Sequence, residues 1–273
     1  MVGMTLRVEA LTGGYGSRAV VRDVDLTVHA GKVVCLLGPN GVGKTTLFKT
    51  MLALQPALSG RVLVADRDLA ALSRPEIARL IGYVPQSQQT PFAFTALDVV
   101  LMGRTARLPR FGAPGRTDRD AALSALDALG VTRLAGRRFT SLSGGERQMV
   151  MIARALAQEP AFIMLDEPTA SLDFGNQVRV LDQVVRLAEA GIGVVMTTHA
   201  PDHAFLCDAE VVLLTGPSRM QRGPARDVLT SERLSDAYGV DVRVVPSPHD
   251  RRISYCYPLL PTMAARPDPE GTP

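Results

Sequence analysis

The chain has 273 residues, enough for one large domain or two small ones, and with 46% hydrophobic and 21% charged residues it can bury a core and is not disordered. A net charge of +3 is too weak to imply a nucleic-acid partner without a concentrated basic patch. Cys35, Cys207 and Cys256 lie far apart and form no CxxC pair, which suggests neither zinc nor a disulfide framework and fits a reduced compartment.

Residues 1–7 lack the apolar core of a signal peptide, and no uninterrupted apolar run approaches the ~20 residues that span a bilayer. A membrane role would therefore come through a partner. Apolar and polar side chains alternate at 6–9 and 25–28, as in half-buried strands. Between them, 12–17 reads as a glycine-rich turn with one aromatic, Tyr15. Val33-Val34-Cys35-Leu36-Leu37 is apolar throughout, the mark of a strand buried on both faces. It runs into Gly38-Pro39-Asn40-Gly41-Val42-Gly43-Lys44-Thr45, which fits G-x-x-x-x-G-K-[ST], the loop that wraps nucleotide phosphates. Its glycines let successive N–H groups turn inward as an anion nest. Lys44 is placed to reach the β- and γ-phosphates and Thr45 to ligate Mg²⁺. Thr46-Leu47-Phe48-Lys49 then opens a helix whose positive end faces the phosphates. A strand, this loop and a helix in that order predict binding of a nucleoside triphosphate.

Further on, strands are predicted at 61–64 and 81–86, with a short helix between them that starts near Ser73-Arg74-Pro75-Glu76. From Thr95 to about Leu156 the spacing is helical, with Leu123, Leu126 and Leu129 on one side of a helix that stops at Gly130. Strands resume at 161–165, 192–198 and 211–214. A helix at about 176–190 carries Val178, Leu181, Val184, Val185 and Ala188 at core spacing. Alternating strands and helices imply a parallel sheet with right-handed crossovers. The fold class is therefore α/β: a P-loop NTPase core with a mixed parallel sheet, N-terminal antiparallel strands and a helical subdomain inserted at about 87–157. Beyond Gly216 the signal weakens to a helix at 231–238 and two strands at 240–245 and 252–257, before a proline-rich tail at 258–273.

Two further stretches carry chemistry. Phe162-Ile163-Met164-Leu165-Asp166-Glu167 is an apolar strand ending in two carboxylates, at the sheet edge where α/β proteins bind ligands. Asp166 suits Mg²⁺ and Glu167 suits orienting and deprotonating a water, although an acidic strand end is common by itself. Leu142-Ser143-Gly144-Gly145-Glu146 has the spacing of a capping box. Each glycine costs a helix about 1 kcal/mol relative to alanine. A cap alone would not need them, whereas bare N–H groups suit close approach to a phosphate.

With these residues in order, the chain resembles the ATP-binding subunits of ABC transporters. The marks are the phosphate loop, Gln86, Leu142–Glu146, the strand ending in Asp166 and Glu167, Ser171-Leu172-Asp173 and His199. The resemblance covers residues 4–240 as one nucleotide-binding domain and leaves 241–273 as a short extension with a frayed tail. It implies ATP as substrate, bound by Tyr15 stacked on adenine and by Gly38, Pro39, Asn40, Gly41, Val42, Gly43, Lys44, Thr45 and Thr46. Thr45, Gln86 and Asp166 would hold Mg²⁺. Glu167 would be the general base, His199 would meet the γ-phosphate, and Gln86 would also sense the membrane partner. Ser143, Gly144, Gly145, Glu146 and Asp173 would act across a dimer on the ATP of a second copy.

The implied partners are that second copy, polytopic permease subunits and, indirectly, a periplasmic or lipoprotein substrate-binding protein, which places the chain at the cytoplasmic face of the inner membrane. Asp98 to Arg104 and the Arg/Pro/Gly-rich stretch after it look like the subfamily importing iron–siderophore, haem or cobalamin; molybdate or tungstate import stays open. A soluble ABC ATPase of DNA repair or translation is the competing class, but no long coiled coil fits between Gln86 and Leu142 and only one cassette is present. Arg104, Arg107, Arg110, Arg116 and Arg119, near the apolar stretch 90–94, read as a surface for partner docking rather than a nucleic-acid groove. His199 and His203 do not read as a metal pair, because Pro201 starts a helix between them.

Overall fold

In the computed structural model, which describes residues 3–86, 94–109, 112–250, 253–260 and 262, the apolar run at 33–37 lies at the centre of the main sheet. The chain first lays down β1 (Thr5–Tyr15) and β2 (Arg18–His29), an antiparallel pair whose turn is confined to Gly16 and Ser17. The glycine-rich stretch expected as a turn is thus mostly strand. The ladder absorbs it through register shifts between Val8 and Gly14, and the extra residues raise the twist.

After β3 (Val33–Leu37) come α1 (Lys44–Met51), β4 (Ser59–Val64), β5 (Arg67–Asp68), α2 (Arg74–Leu80) and β6 (Ile81–Val84). Helices α3 (Ala96–Leu101), α4 (Arg116–Ala128) and α5 (Gly144–Leu156) follow as the insertion the spacing predicts. Then β7 (Phe162–Leu165), α6 (Phe174–Glu189), β8 (Gly193–Thr197), α7 (Asp202–Leu206), β9 (Glu210–Gly216) and β10 (Arg219–Pro224) complete the sheet. The chain ends with α8 (Ala225–Val228), α9 (Ser231–Tyr238) and a hairpin of β11 (Val242–Pro246) and β12 (Ser254–Pro258).

The main sheet has the order β10-β9-β3-β8-β7-β6, parallel except for its β10 edge, and a second antiparallel sheet has the order β2-β1-β4-β5. Because successive side chains point to opposite faces, β3 feeds two cores. Val33, Cys35 and Leu37 pack with the inserted helices and α6. Val34 and Leu36 pack with α1 and the antiparallel sheet. β7 does the same, with Ile163 and Leu165 on the first side and Phe162 and Met164 on the second.

Several expectations shift. On α6 the stripe runs through Val180, Leu181, Val184, Leu187 and Ala188, leaving Val178 46% exposed instead of in the core. β10 escapes the alternation rule because no residue of this edge strand is buried. The C-terminal hairpin is packed down, with Val242 buried in the same core as Leu37 and Leu234. Residues 87–93, which hold most of the expected docking stretch, and 263–273 of the expected frayed tail lie outside the described residues, as do Arg110, Phe111 and Arg252. Among the described residues, no helix is long and apolar enough to cross a membrane.

Candidate nucleotide site

Strands β3, β8 and β7 run parallel, so the phosphate loop, His199 and the Asp166–Glu167 pair all leave the sheet at one edge. Gly38 has φ +140° and Gly43 φ +113°, backbone that side chains rarely adopt. A Cβ on Gly38 would also meet the Leu214 carbonyl oxygen at 2.2 Å, and one on Gly43 would meet Val21 at 2.5 Å. The loop is therefore wedged between β9 and β2. Gly43 precedes α1 without a side-chain cap, which leaves the first N–H groups of that helix for a ligand.

Lys44 is only 7% exposed, and its Nζ donates to the carbonyls of Gly38 at 2.5 Å and Pro39 at 2.9 Å. Burial pushes its pKa down, while the charges of Glu167 and Asp166 pull it back up. Over the loop opens a cavity of about 450 Å³ lined by Tyr15, Arg18, Val20, Asn40, Gly41, Gly43, Lys44, Thr45, Thr46 and Glu167. That is the size of a small-molecule site. Tyr15 ends β1 with 59% of its surface exposed, so a ring face is free to stack.

The acids after β7 are tied to β8. Buried Asp166 accepts a hydrogen bond from the Thr197 hydroxyl at 2.8 Å, and that hydroxyl accepts one from the Glu167 N–H at 2.8 Å. Glu167 has φ +48°, a sharp turn at the strand's tip. Its Oε1 lies 3.2 Å from His199 Nδ1, and its Oε2 accepts a hydrogen bond from Gln86 Nε2. Three residues read separately in the sequence thus converge from the ends of β6, β7 and β8. His203 stays apart: it is buried, with Nδ1 2.8 Å from the Thr198 hydroxyl.

The Ser143 turn forms the predicted capping box, with Glu146 N–H on Ser143 Oγ at 3.2 Å and Ser143 N–H on Glu146 Oε2 at 3.1 Å. Glu146 also pairs with Arg133 at 3.0 Å and Arg137 at 3.3 Å. The backbone bond from Ser143, and then Arg133, hold its carboxyl below the usual range. One glycine has a packing reason that spacing does not reveal: a Cβ on Gly145 would meet Asn176 Oδ1 at 2.3 Å. Asp173 in turn caps α6, accepting from the N–H of Asn176 at 2.8 Å and its Nδ2 at 2.7 Å. None of residues 143–146 lines the 450 Å³ cavity; Gly145 and Glu146 line a separate hollow of about 300 Å³ with Asn176 and Arg179.

The arginine-rich stretch divides in two. Arg104 is buried, paired with Asp118 at 3.0 Å and Glu159 at 3.1 Å, and donates to the Ala157 carbonyl at 2.8 Å. Arg107 bonds the Gln158 carbonyl and Glu159. Both therefore lock the helical insertion to the α5–β7 turn and are not part of an open docking patch, while Arg116 and Arg119 remain exposed. The motifs also give no hint of Arg18, Val20 and Thr197. The first two reach the site only because β2 folds back over the loop, and Thr197 only because β8 lies beside β7.

The ABC transporter family model matches residues 21–170. The molybdate import ATP-binding protein MolC of Haemophilus influenzae is 39% identical over 215 residues, covering 78% of this chain and 79% of that protein. The hemin import ATP-binding protein HmuV of Thermobifida fusca is 40% identical over 239 residues, covering 87% and 83%. A solved inward-facing transporter described as of metal-chelate type superposes with a TM-score of 0.84 at 34% identity, covering 95% of this chain and 99% of its own. Phosphate loop, paired carboxylates and these likenesses agree: the chain belongs to the ATP-binding subunits of ABC transporters, which hydrolyse ATP to drive transport.

Proposed function

We propose that the chain powers import of a metal chelate of the haem, siderophore or cobalamin type, working as one of two copies beneath a separate permease. The observation that carries the two-copy reading is the separation of the two half-sites. The cavity over the phosphate loop holds Lys44 and Glu167 but no residue of 143–146, whose glycine-bearing helix start faces a different hollow. A second copy would bring its own Ser143, Gly144, Gly145, Glu146 and Asp173 to that cavity. Residues 4–240 form the working domain on this reading, with the later hairpin packed onto it.

Within one copy, Tyr15 takes the adenine and residues 38–46 wrap the phosphates. Lys44 spends two of its three donors on the Gly38 and Pro39 carbonyls, which leaves a third for a phosphate. Thr45, exposed to the cavity, and the buried Asp166 offer hard oxygens of the kind Mg²⁺ prefers. Among the described residues there is no group of three or more His, Cys, Asp or Glu that could hold a metal ion. Bound at Thr45 and Asp166 with Gln86 close by, Mg²⁺ would neutralise phosphate charge. Glu167 takes the proton of the attacking water, and His199, 3.2 Å from it, orients that carboxylate and meets the terminal phosphate.

Support for the cargo comes from likeness to the hemin importer and to the metal-chelate type structure; the molybdate importer keeps an oxyanion as the second reading. Glu167→Gln in the complex with its permease should retain ATP binding and lose ~10²–10⁴-fold in turnover. Unchanged hydrolysis would overturn the assignment. Comparing transport-linked ATPase activity with haem, a ferric siderophore, cobalamin and molybdate then separates the cargoes.

A further inference from the structure

The tip of the β1–β2 hairpin, where Tyr15 lines the nucleotide cavity, is sewn to the far end of the helix that opens at the phosphate loop. Helix α1 starts at Lys44 and closes past Met51 with Ala53 in the left-handed conformation, at φ +52°. The Lys49 carbonyl accepts from the N–H groups of Leu54 at 2.9 Å and Gln55 at 3.3 Å, so the residues after that turn stay fixed to the helix. From there two bonds reach β1, one on either side of Gly13. The half-buried Gln55 donates from Nε2 to the Gly14 carbonyl, and the Leu58 N–H donates to the Thr12 carbonyl at 2.8 Å. Gly13 itself lies close against α1: a Cβ there would meet Thr50 Oγ1 at 2.8 Å and Thr46 Cγ2 at 3.4 Å.

Tyr15 is largely exposed, so it takes its position from the backbone that carries it more than from packing on its ring. The residue before it, Gly14, is the one Gln55 holds. Gln55 does not line the nucleotide cavity, so its influence on a bound nucleotide runs through Tyr15. Phosphates gather at the start of α1 and the base at Tyr15, and Gln55 joins the end of that same helix to the residue before Tyr15. We infer that Gln55 is a positioning residue for adenine: by holding the Gly14 carbonyl it fixes the height of Tyr15 over the phosphate loop, and with it the preference for a nucleotide over a bare polyphosphate. This rests on the adenine role given to Tyr15 above. An aromatic already held in place loses little freedom when a base stacks on it, whereas one on a loose hairpin tip must be ordered on binding.

Gln55→Met keeps the length of the side chain and removes the donor. ATP affinity should fall about two- to tenfold, the worth of one hydrogen bond. Affinity for inorganic tripolyphosphate, which carries the phosphates without the base, should match wild type, and that binding also shows the variant to be folded. Tyr15→Ala should lower ATP affinity about five- to 150-fold, the worth of one stacked base. Adding Gln55→Met to Tyr15→Ala should lower it no further, because both act through one ring. Wild-type ATP affinity in Gln55→Met, beside a clear loss in Tyr15→Ala, would overturn the inference. So would an equal loss for ATP and tripolyphosphate, the mark of a distorted α1, or additive losses in the double variant. Should Tyr15→Ala itself bind ATP as wild type does, the adenine reading falls and takes this inference with it.

Discussion

Thr197→Val is the sharpest test of how the two carboxylates are held. The hydroxyl bridges buried Asp166 and the Glu167 amide, 2.8 Å from each, and the residue is 1% exposed. Valine keeps the shape, so almost none of the effect comes from a cavity. The bond to the carboxylate is worth about 1.5–3 kcal/mol and the bond from the amide about 0.5–1.5 kcal/mol. Their joint loss should destabilise the chain by about 2–4.5 kcal/mol, a large share of a typical ~5–15 kcal/mol. It also frees the left-handed turn at Glu167 to shift. A displacement of about 1 Å at a reacting group costs on the order of a hundredfold, so turnover should fall about ten- to a hundredfold. Urea melts and ATP turnover of the purified chain read both effects, and Thr197→Ser, which keeps the hydroxyl, should recover most of each. A valine variant within about 0.5 kcal/mol of wild type with full turnover would show that the bridge positions nothing.

Arg104→Met should cost about 2–4 kcal/mol, because it unpairs Asp118 and leaves the Ala157 carbonyl without its donor, while Glu159 keeps Arg107; Arg116→Ala or Arg119→Ala should stay within about 0.5 kcal/mol. Equal, small losses in urea melts would return Arg104 to the surface patch. Burial depresses the pKa of His203 below its ordinary 6.5, so the unfolded chain takes up the proton first. The stability it contributes is complete above pH 6.5 and is lost as pH falls through its folded value. His203→Asn should therefore flatten the stability difference between about pH 8 and about pH 5.5, and an undiminished acid slope in the variant would exclude His203 as its source.

The chemistry of the site was legible where local sequence dictates backbone. The phosphate loop can be read because Gly38 and Gly43 sit at φ values that glycine favours, and the strand before it because burial on both faces removes alternation. The succession of most core strands and of the inserted helices along the chain follows from periodicity and from glycine and proline stops. What stays hidden is whatever depends on which element lies beside which. Thr197 looks like any strand threonine until β8 is laid against β7, and the close approach of Asn176 to Gly145 shows only once α6 is in place. The arginines of 104–119 look alike in sequence; packing buries one and leaves others in water. β10 is invisible because a polar edge strand has no core face to imprint a pattern.

The trio at the strand ends has one more consequence. Gln86 holds one oxygen of Glu167 and His199 stands at the other. A carboxylate can accept at about four places, so each oxygen keeps room for one more donor. Pinned from both sides, the group cannot swing, and its remaining acceptor positions are fixed in direction. Aim, in this arrangement, is supplied by three strand ends at once.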